Sequence, residues 1–226
     1  MSASDWLTTV AATFAGLLPI VNPFSTAAVF LALTGRMSEA ERRRQLTLAC
    51  VYATATLLVF LVAGALIMNF FGISIPALRL AGGLIVARVG FSMLTPQEPE
   101  AETEEAAPAR RDIAFTPLAM PMLSGPGSIA VTIGMAAGAE STWDDLAIAV
   151  GIVLVIAVSW LVLSAARAVN RFLGEQGIDV LTRIMGFILV CIGVQFVGMA
   201  VIDVVTDERI LGAIADAWAR GRAGGV

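Results

Sequence analysis

The chain has 226 residues, of which 58% are hydrophobic and 14% are charged, and its formal net charge is −4. Soluble domains carry about 25% charged residues, so this composition excludes an ordinary water-soluble domain and predicts a protein that sits in a lipid bilayer. The negative net charge also indicates that nucleic acid is not a partner.

Five long segments without Asp, Glu, Lys or Arg divide the chain. They are Trp6–Gly35, Gln45–Leu78, Ile113–Ala139, Leu146–Ala166 and Ile184–Ile202. A helix needs roughly 20 predominantly apolar residues to cross a bilayer, and the sequence NFFGISIP in the second segment has the residues of a short turn between two crossings. We therefore predict an all-α membrane protein with six transmembrane helices, at about 6–34, 46–69, 75–94, 114–138, 146–168 and 181–203.

The first predicted span contains two prolines with Asn22 between them. Pro19 and Pro23 each remove a backbone donor and clash with the carbonyl four residues earlier. In lipid, backbone groups freed in this way cost several kcal/mol each unless something satisfies them. We expect the helix to break here and to start again at Phe24, leaving the carbonyls of 18–22 free.

The stretch 95–112, TPQEPEAETEEAAPARRD, is the low-complexity region of the chain. It is rich in Pro, Ala and Glu, a composition typical of a flexible linker. It separates a first three-span unit, 1–94, from a second, 113–203, and residues 204–226 follow as a tail.

The fourth predicted span is interrupted in the same way as the first. It holds Pro117 and Pro121, followed by the sequence SGPGS at 124–128. Glycine costs about 1 kcal/mol and proline about 3 kcal/mol relative to alanine inside a helix, so we expect the helix to start again only at Ser128. A pair of proline kinks healed by neighbouring helices is the alternative.

The two units repeat each other at an offset of 103 residues (126 − 23 = 103 and 186 − 83 = 103). The matched segments are LLPIVNPFSTA with MPMLSGPGSIA, and IPALRLAGGLIVARVG with IDVLTRIMGFILVCIG. Each unit holds three predicted spans, an odd number, so the second unit must enter the membrane in the opposite sense. This pattern predicts an inverted repeat whose broken helices meet near the midplane of the bilayer.

The placement of arginine predicts the orientation. Arginines occur in the connection between spans 1 and 2, in the linker, and between spans 5 and 6, whereas the stretches 70–74 and 139–145 contain no basic residue. Segments rich in arginine lie on the cytoplasmic side of inner-membrane proteins. The linker is then cytoplasmic, and both termini, including the tail, are extracytoplasmic.

Two broken helices that face each other are expected to bind particular charged groups. The helices that start at the breaks direct their N-terminal ends and free N–H groups inward, which suits a carboxylate, while freed carbonyls suit an ammonium group or Na⁺. A small zwitterionic substrate matches this set. The candidate substrate-binding residues are Asn22, Pro23, Ser25, Ser124, Gly125, Pro126, Gly127 and Ser128.

Charged residues within the spans are few. Arg79 and Arg183 lie in the matched segments of the third and sixth spans and are candidate gates, with an interfacial anchor as the alternative for Arg79. Arg88 lies near the cytoplasmic end of its span and is expected to extend to the membrane surface. The interior of the predicted spans holds no Asp or Glu, which argues against a carboxylate proton relay. No cofactor or metal is expected, and coupling to Na⁺ or H⁺ stays open.

The segments LLPIVNPFSTAAVF, FGISIPALRLAGGLIV, PLAMPMLSGPGSIA and RIMGFILVCIGVQF resemble those of the MarC family of inner-membrane proteins, which is grouped with the SnatA neutral amino acid transporters. The resemblance implies a six-span bacterial inner-membrane protein that transports small neutral amino acids such as alanine or glycine. By match to the Asn-Pro and Gly-Pro-Gly motifs, Asn22, Pro23, Gly125, Pro126 and Gly127 are implied as the central residues.

The function predicted from these observations is secondary transport of a small neutral amino acid by alternating access. The alternatives are an exporter of other amino acids or small metabolites, as in LysE-type proteins, an anion or lipid-phosphate translocase that uses Arg79 and Arg183, and a scaffold. A membrane enzyme is disfavoured because no nucleophile–base pair is apparent.

Overall fold

The computed structural model describes residues 3–95, 112–139 and 141–206. These residues form seven α-helices and one irregularly wound segment, and none of them is in a β-strand. The helices are α1 (Ala3–Val21), α2 (Pro23–Thr34), α3 (Glu39–Phe71), α4 (Ile75–Leu94), α5 (Pro126–Ala136), α6 (Thr142–Ser164) and α7 (Ala166–Val205), and the wound segment is Ala114–Leu123.

Local sequence signals explain where the second and third crossings begin and end. Ser38 caps α3, because its hydroxyl accepts a hydrogen bond from the Glu41 N–H at 3.3 Å. The helix then runs for 33 residues and stops at Gly72, which adopts a left-handed φ of 66° that favours glycine. Ser74 caps α4 in the same manner as Ser38 caps α3, and Pro76 lies in its first turn. The predicted turn between these crossings is confirmed.

The membrane-protein fold class is confirmed. Five of the described helices are long and apolar enough to cross a membrane, and the bent pair formed by the Ala114–Leu123 segment and α5 raises the number to six. The two parts of this pair meet at an angle of 57°. The shorter α2, at 12 residues, continues from α1 across the break that was predicted in the first span. The inversion of one half relative to the other stays a prediction.

The buried core runs through all the packed elements. Leu17, Phe30, Leu57, Leu118, Ile152 and Leu189 are fully buried where α1, α2, α3, the wound segment, α6 and α7 meet. Many large apolar side chains lie exposed on the outside, among them Val62, Leu66, Phe70 and Phe172. An apolar exterior around a packed core is what a bilayer requires, since lipid rather than water covers it.

Two predicted segments are mainly outside the part of the chain that the structure describes. The linker 95–112 falls on residues 96–111, and most of the tail 204–226 falls on residues 207–226. Their predicted roles as a cytoplasmic linker and an extracytoplasmic tail therefore stay predictions.

Candidate functional site

The first break is confined to a single residue. Asn22 separates α1 from α2 and adopts a left-handed φ of 36°. Its side chain is buried, with 6% of its surface exposed, and its Oδ1 accepts a hydrogen bond from the Ser25 N–H at 3.4 Å. Asn22 therefore caps α2, a role for which asparagine is among the preferred residues.

Two expectations about this break were wrong in detail. The helix restarts at Pro23 rather than at Phe24, because proline is favoured in the first turn, where a missing N–H costs nothing. Three of the carbonyls expected to be free accept hydrogen bonds within the chain. The Leu18 carbonyl accepts the Asn22 N–H at 2.9 Å. The Val21 and Asn22 carbonyls accept the hydroxyl and the N–H of Thr26, at 3.3 and 3.1 Å respectively.

The second break is longer, and it combines hydrogen bonds over five residues with extended backbone at Thr116 and Met120. Within Ala114–Leu123, bonds such as Leu118 N–H to the Ile113 carbonyl at 3.3 Å span five residues. Both the N–H and the hydroxyl of Ser124 donate to the Ala119 carbonyl, at 2.8 and 2.9 Å. The hydroxyl proton of Ser124 is therefore already used by the backbone.

The helix after the second break begins two residues earlier than predicted. α5 starts at Pro126, so Ser128 lies in its first turn, with Gly125 at the capping position. A Cβ at Gly125 would contact the carbonyl oxygen of Pro121. Glycine is therefore required here by the close approach of the backbone of the wound segment.

The second helix start has no side-chain cap. Its first internal hydrogen bond is from Ile129 N–H to the Gly125 carbonyl at 3.0 Å, so the N–H groups of Gly127 and Ser128 have no acceptor among the described residues. The Ser128 side chain is 1% exposed, and its hydroxyl is the buried side-chain group that lacks a partner in the described part of the protein. Such a group is rare in native proteins and calls for an explanation.

The structure brings the start of α5 against the last turn of α1, which precedes the first break. A Cβ placed on Gly127 would lie 3.2 Å from Cγ2 of Ile20, in the last turn of α1, and 3.9 Å from Cγ2 of Val86 on α4. One helical turn away, Gly16 of α1 faces Val131 of α5. Gly127 of the second motif therefore contacts α1 two residues before the first break at Asn22, although Gly127 and Ile20 are 107 residues apart in sequence (127 − 20 = 107).

Arg79 makes an ion pair that the sequence did not indicate. Its Nη1 lies 2.6 Å from Oδ2 of Asp203, and the two side chains are 27% and 37% exposed. The pair joins the first turns of α4 to the last turn of α7. Asp203 stands 124 positions from Arg79, and no local pattern links the two. Only the antiparallel packing of the two helices brings them together.

Arg183 and Arg88 have different surroundings from Arg79. Arg183 pairs with Asp179, one turn earlier on the same helix, at 2.9 Å between Nε and Oδ2, and both side chains are exposed. Arg88 is exposed on α4. Arg79 is therefore the candidate gate that joins two helices.

A cavity of about 690 Å³ lies beside the start of α4, and it is called the outer vestibule after the orientation predicted from the arginines. It is bordered by the first turns of α1, α4 and α6 and by the end of α5, and Asp5, Thr9, Arg79, Ser141 and Asp144 supply its polar lining. A second cavity of about 360 Å³, the inner vestibule, lies beside the end of α4. Its polar lining consists of Ser25, Ser92, Thr95, Asn170, Asp179 and Thr182.

The two vestibules lie at opposite ends of the bundle. Arg79 lines one and Ser92 lines the other, and the two residues are 13 positions apart on α4 (92 − 79 = 13), which corresponds to about 20 Å along the axis. The inner vestibule reaches Ser25, three residues past the break at Asn22.

Glycines set a close helix contact between α4 and α7. A Cβ on Gly83 would lie 2.7 Å from the carbonyl oxygen of Gly193, and one on Gly90 would lie 2.6 Å from that of Gly186. Since the partner number falls as the α4 number rises, the helices are antiparallel. The repeat offset converts one pair into the other, because 83 + 103 = 186 and 90 + 103 = 193.

The described residues contain no group of three or more His, Cys, Asp or Glu side chains that could hold a metal ion. The polar groups at the starts of α2 and α5 are backbone N–H groups and neutral side chains, which bind through hydrogen bonds and helix dipoles.

Comparisons with known proteins agree with this architecture. The family described as MarC family integral membrane protein matches residues 7–205. The protein named UPF0056 inner membrane protein MarC from Escherichia coli O1:K1 is 44% identical over 203 residues, covering 84% of this chain and 92% of that protein. The protein of the same name from Salmonella typhimurium (strain LT2) is 45% identical over the same shares. No solved structure gives a significant match. This chain, whose described residues include five helices able to cross a membrane, or up to six with the bent pair, belongs to the MarC family of multi-pass inner-membrane proteins.

Proposed function

We propose that this protein is a secondary transporter of small neutral amino acids, such as alanine or glycine, that works by alternating access. The observation that carries the proposal is the contact of the two interrupted helices, Gly127 against Ile20, in a bundle with a polar vestibule at each end. Paired broken helices in two matching halves mark the substrate site in several transporter folds.

The contact between α4 and α7 supports an inverted relation between the halves. These helices are the third span of each unit, and they run antiparallel with glycine contacts that the repeat offset interchanges. A two-fold axis through this crossing would relate the outer vestibule to the inner one. In such folds, alternating access usually arises because one repeat moves against the other around a fixed substrate site. The proposal also places both termini and the outer vestibule outside the cytoplasm.

The gate of the outer vestibule is assigned to Arg79 and Asp203. Their ion pair ties α4 to α7 at the rim of that vestibule, so opening this end requires the pair to separate. Arg183 stays the candidate on the other side, where its partner Asp179 lines the inner vestibule.

The charges of the outer vestibule favour a zwitterion over an anion. The lining residues include Asp5 and Asp144 beside Arg79, and the arginine is already paired with Asp203. A translocase for a phosphate or another anion would need arginine to bind its substrate, and here the substrate would first have to displace a carboxylate. Export of other amino acids or small metabolites fits the same cavities.

Transport by the purified protein in liposomes tests the proposal. We expect counterflow of radiolabelled alanine or glycine, measured with an Na⁺ gradient, an H⁺ gradient and no gradient. Asn22→Ala and Gly127→Leu should abolish it, since they remove the α2 cap and fill the contact between the breaks. Counterflow that persists unchanged in both variants would refute the site.

A matched pair of variants tests the gate. Arg79→Gln removes the arginine of the ion pair, whereas Arg88→Gln removes an exposed arginine of the same helix. We expect a much larger change in counterflow from Arg79→Gln. Equal and mild effects would make both residues interfacial anchors.

A further inference from the structure

We infer that the start of α5 is a carboxylate-binding half-site, formed by the Ser128 hydroxyl and the backbone N–H groups of Gly127 and Ser128. The inference rests on the proposed function only for the identity of the ligand as an amino acid. It assigns the carboxylate to the second break and not to the first.

The donors at the start of α5 have no acceptor in the described residues. The two N–H groups precede the first internal hydrogen bond of the helix, and the Ser128 hydroxyl is 1% exposed and unpartnered. Side chains on a helix lean towards its N-terminus, so this hydroxyl points to the same end as the N–H groups. Three donors thus converge at the positive end of an 11-residue helix.

The start of α2, which is equivalent in the first repeat, shows that the start of α5 lacks a side-chain acceptor. Asn22 and Gly125 correspond at the repeat offset (125 − 22 = 103), as do Ser25 and Ser128 (128 − 25 = 103). The Asn22 Oδ1 accepts the Ser25 N–H at 3.4 Å, whereas Gly125 has no side chain to accept the Ser128 N–H. The Ser25 N–H of the first helix start therefore has an acceptor in its own chain, whereas the equivalent Ser128 N–H of the second start has no side-chain acceptor at the capping position.

Two glycines beside the donors allow the close approach of neighbouring segments. A Cβ on Gly125 would contact the carbonyl of Pro121, and a Cβ on Gly127 would lie 3.2 Å from Ile20. Hydrogen bonds from N–H and O–H groups to an ionised acceptor are the stronger kind. A carboxylate carries one negative charge and two acceptor oxygens, which matches three donors and a helix dipole with no basic side chain among them.

Ligand-dependent thermal unfolding of the detergent-purified protein tests the half-site. The probes are L-alanine, propionate, which keeps the carboxylate alone, and isopropylamine, which keeps the ammonium alone. We expect alanine and propionate to raise the unfolding temperature of the wild type, and isopropylamine not to. Ser128→Ala should require at least about 10-fold more of either carboxylate for the same rise, because it loses a hydrogen bond to a charged group.

The matched control is Ser159→Ala on α6. Ser159 is also fully buried, but its hydroxyl donates to the Val155 carbonyl at 2.7 Å. Ser159→Ala should keep the wild-type response to propionate. Without ligand, Ser128→Ala should unfold at the wild-type temperature or above, since it removes an unpaired buried hydroxyl, and this separates lost binding from misfolding.

The outcomes distinguish this inference from the proposed function. If propionate acts through Ser128 but alanine is neither bound nor transported, the half-site stands and the proposed function falls. If alanine is transported and Ser128→Ala responds to both carboxylates as the wild type does, the half-site falls. It also falls if neither carboxylate affects the wild type.

Discussion

The crossing of α4 and α7 makes the clearest energetic prediction, through Gly193→Ala. A Cβ at this position would lie 2.6 Å from the Gly83 carbonyl oxygen and 2.8 Å from the Ala87 Cβ. A carbon and an oxygen in close contact normally stay about 3.3 Å apart, so the helices would have to separate by roughly 0.7 Å. Separation would also weaken the Cα–H···O contacts that close glycine crossings permit.

The magnitude follows from two opposing terms. Introducing a methyl group into a packed contact costs about 1–3 kcal/mol, while replacing glycine by alanine within a helix gains up to about 1 kcal/mol. Gly198→Ala on the same helix supplies the control, because a Cβ there meets nothing within 4 Å. Both variants gain the same helix propensity, so the difference between their free energies of unfolding isolates the clash, about 1–3 kcal/mol.

Equilibrium unfolding in mixed micelles with increasing SDS, followed by tryptophan fluorescence, measures this difference. Gly90→Ala, whose Cβ would lie 2.6 Å from the Gly186 carbonyl oxygen, should be destabilised to the same degree as Gly193→Ala, since the two positions correspond at the repeat offset. Gly193→Ala and Gly198→Ala of equal stability would refute the reasoning, because the close crossing would then carry no energetic weight.

Two further predictions concern the second break and the orientation. Gly125→Ala should lower the free energy of unfolding in the same assay, because the new methyl group would contact the Pro121 carbonyl oxygen. Gly138→Ala is the control and should not lower it, since the nearest atom to its Cβ would be 3.6 Å away. Equal stability of the two variants would contradict the requirement for glycine at 125. In a background with Cys50→Ala and Cys191→Ala, a membrane-impermeant maleimide should label Thr142→Cys in intact cells and Ala40→Cys only in inverted vesicles, and the reverse pattern would overturn the orientation.

Local signals were sufficient to predict most of the fold. Charge-free apolar runs placed the crossings, because the cost of burying charge in lipid does not depend on tertiary detail. The turn at Gly72 and the caps at Ser38 and Ser74 follow from residue types that favour those conformations. The prolines likewise predicted where the first and fourth crossings are interrupted.

The groups that form hydrogen bonds at each break could not be predicted from the sequence, because they depend on contacts that no local pattern contains. In the first span, Asn22 confines the interruption to one residue by capping α2 with its own side chain. In the fourth, the chain keeps hydrogen bonds by winding Ala114–Leu123 more loosely, with bonds over five residues. Proline content alone predicts a loss of helical hydrogen bonds but not which groups replace them. The pairing of Arg79 with Asp203 was missed for the same reason.

The difference between the two repeats bears on how one site could release its ligand. In the first copy the acceptor at the helix start is part of the chain, so its capping bond costs no binding entropy. In the second copy the inferred half-site takes its acceptor from a ligand, so the stability of the start of α5 would depend on occupancy. A movement that carried the wound segment or Ile20 away from Gly127 would expose these donors to water, and the carboxylate would then lose its advantage over solvent. Opening and release would thus be coupled through the start of α5, which has no side-chain cap.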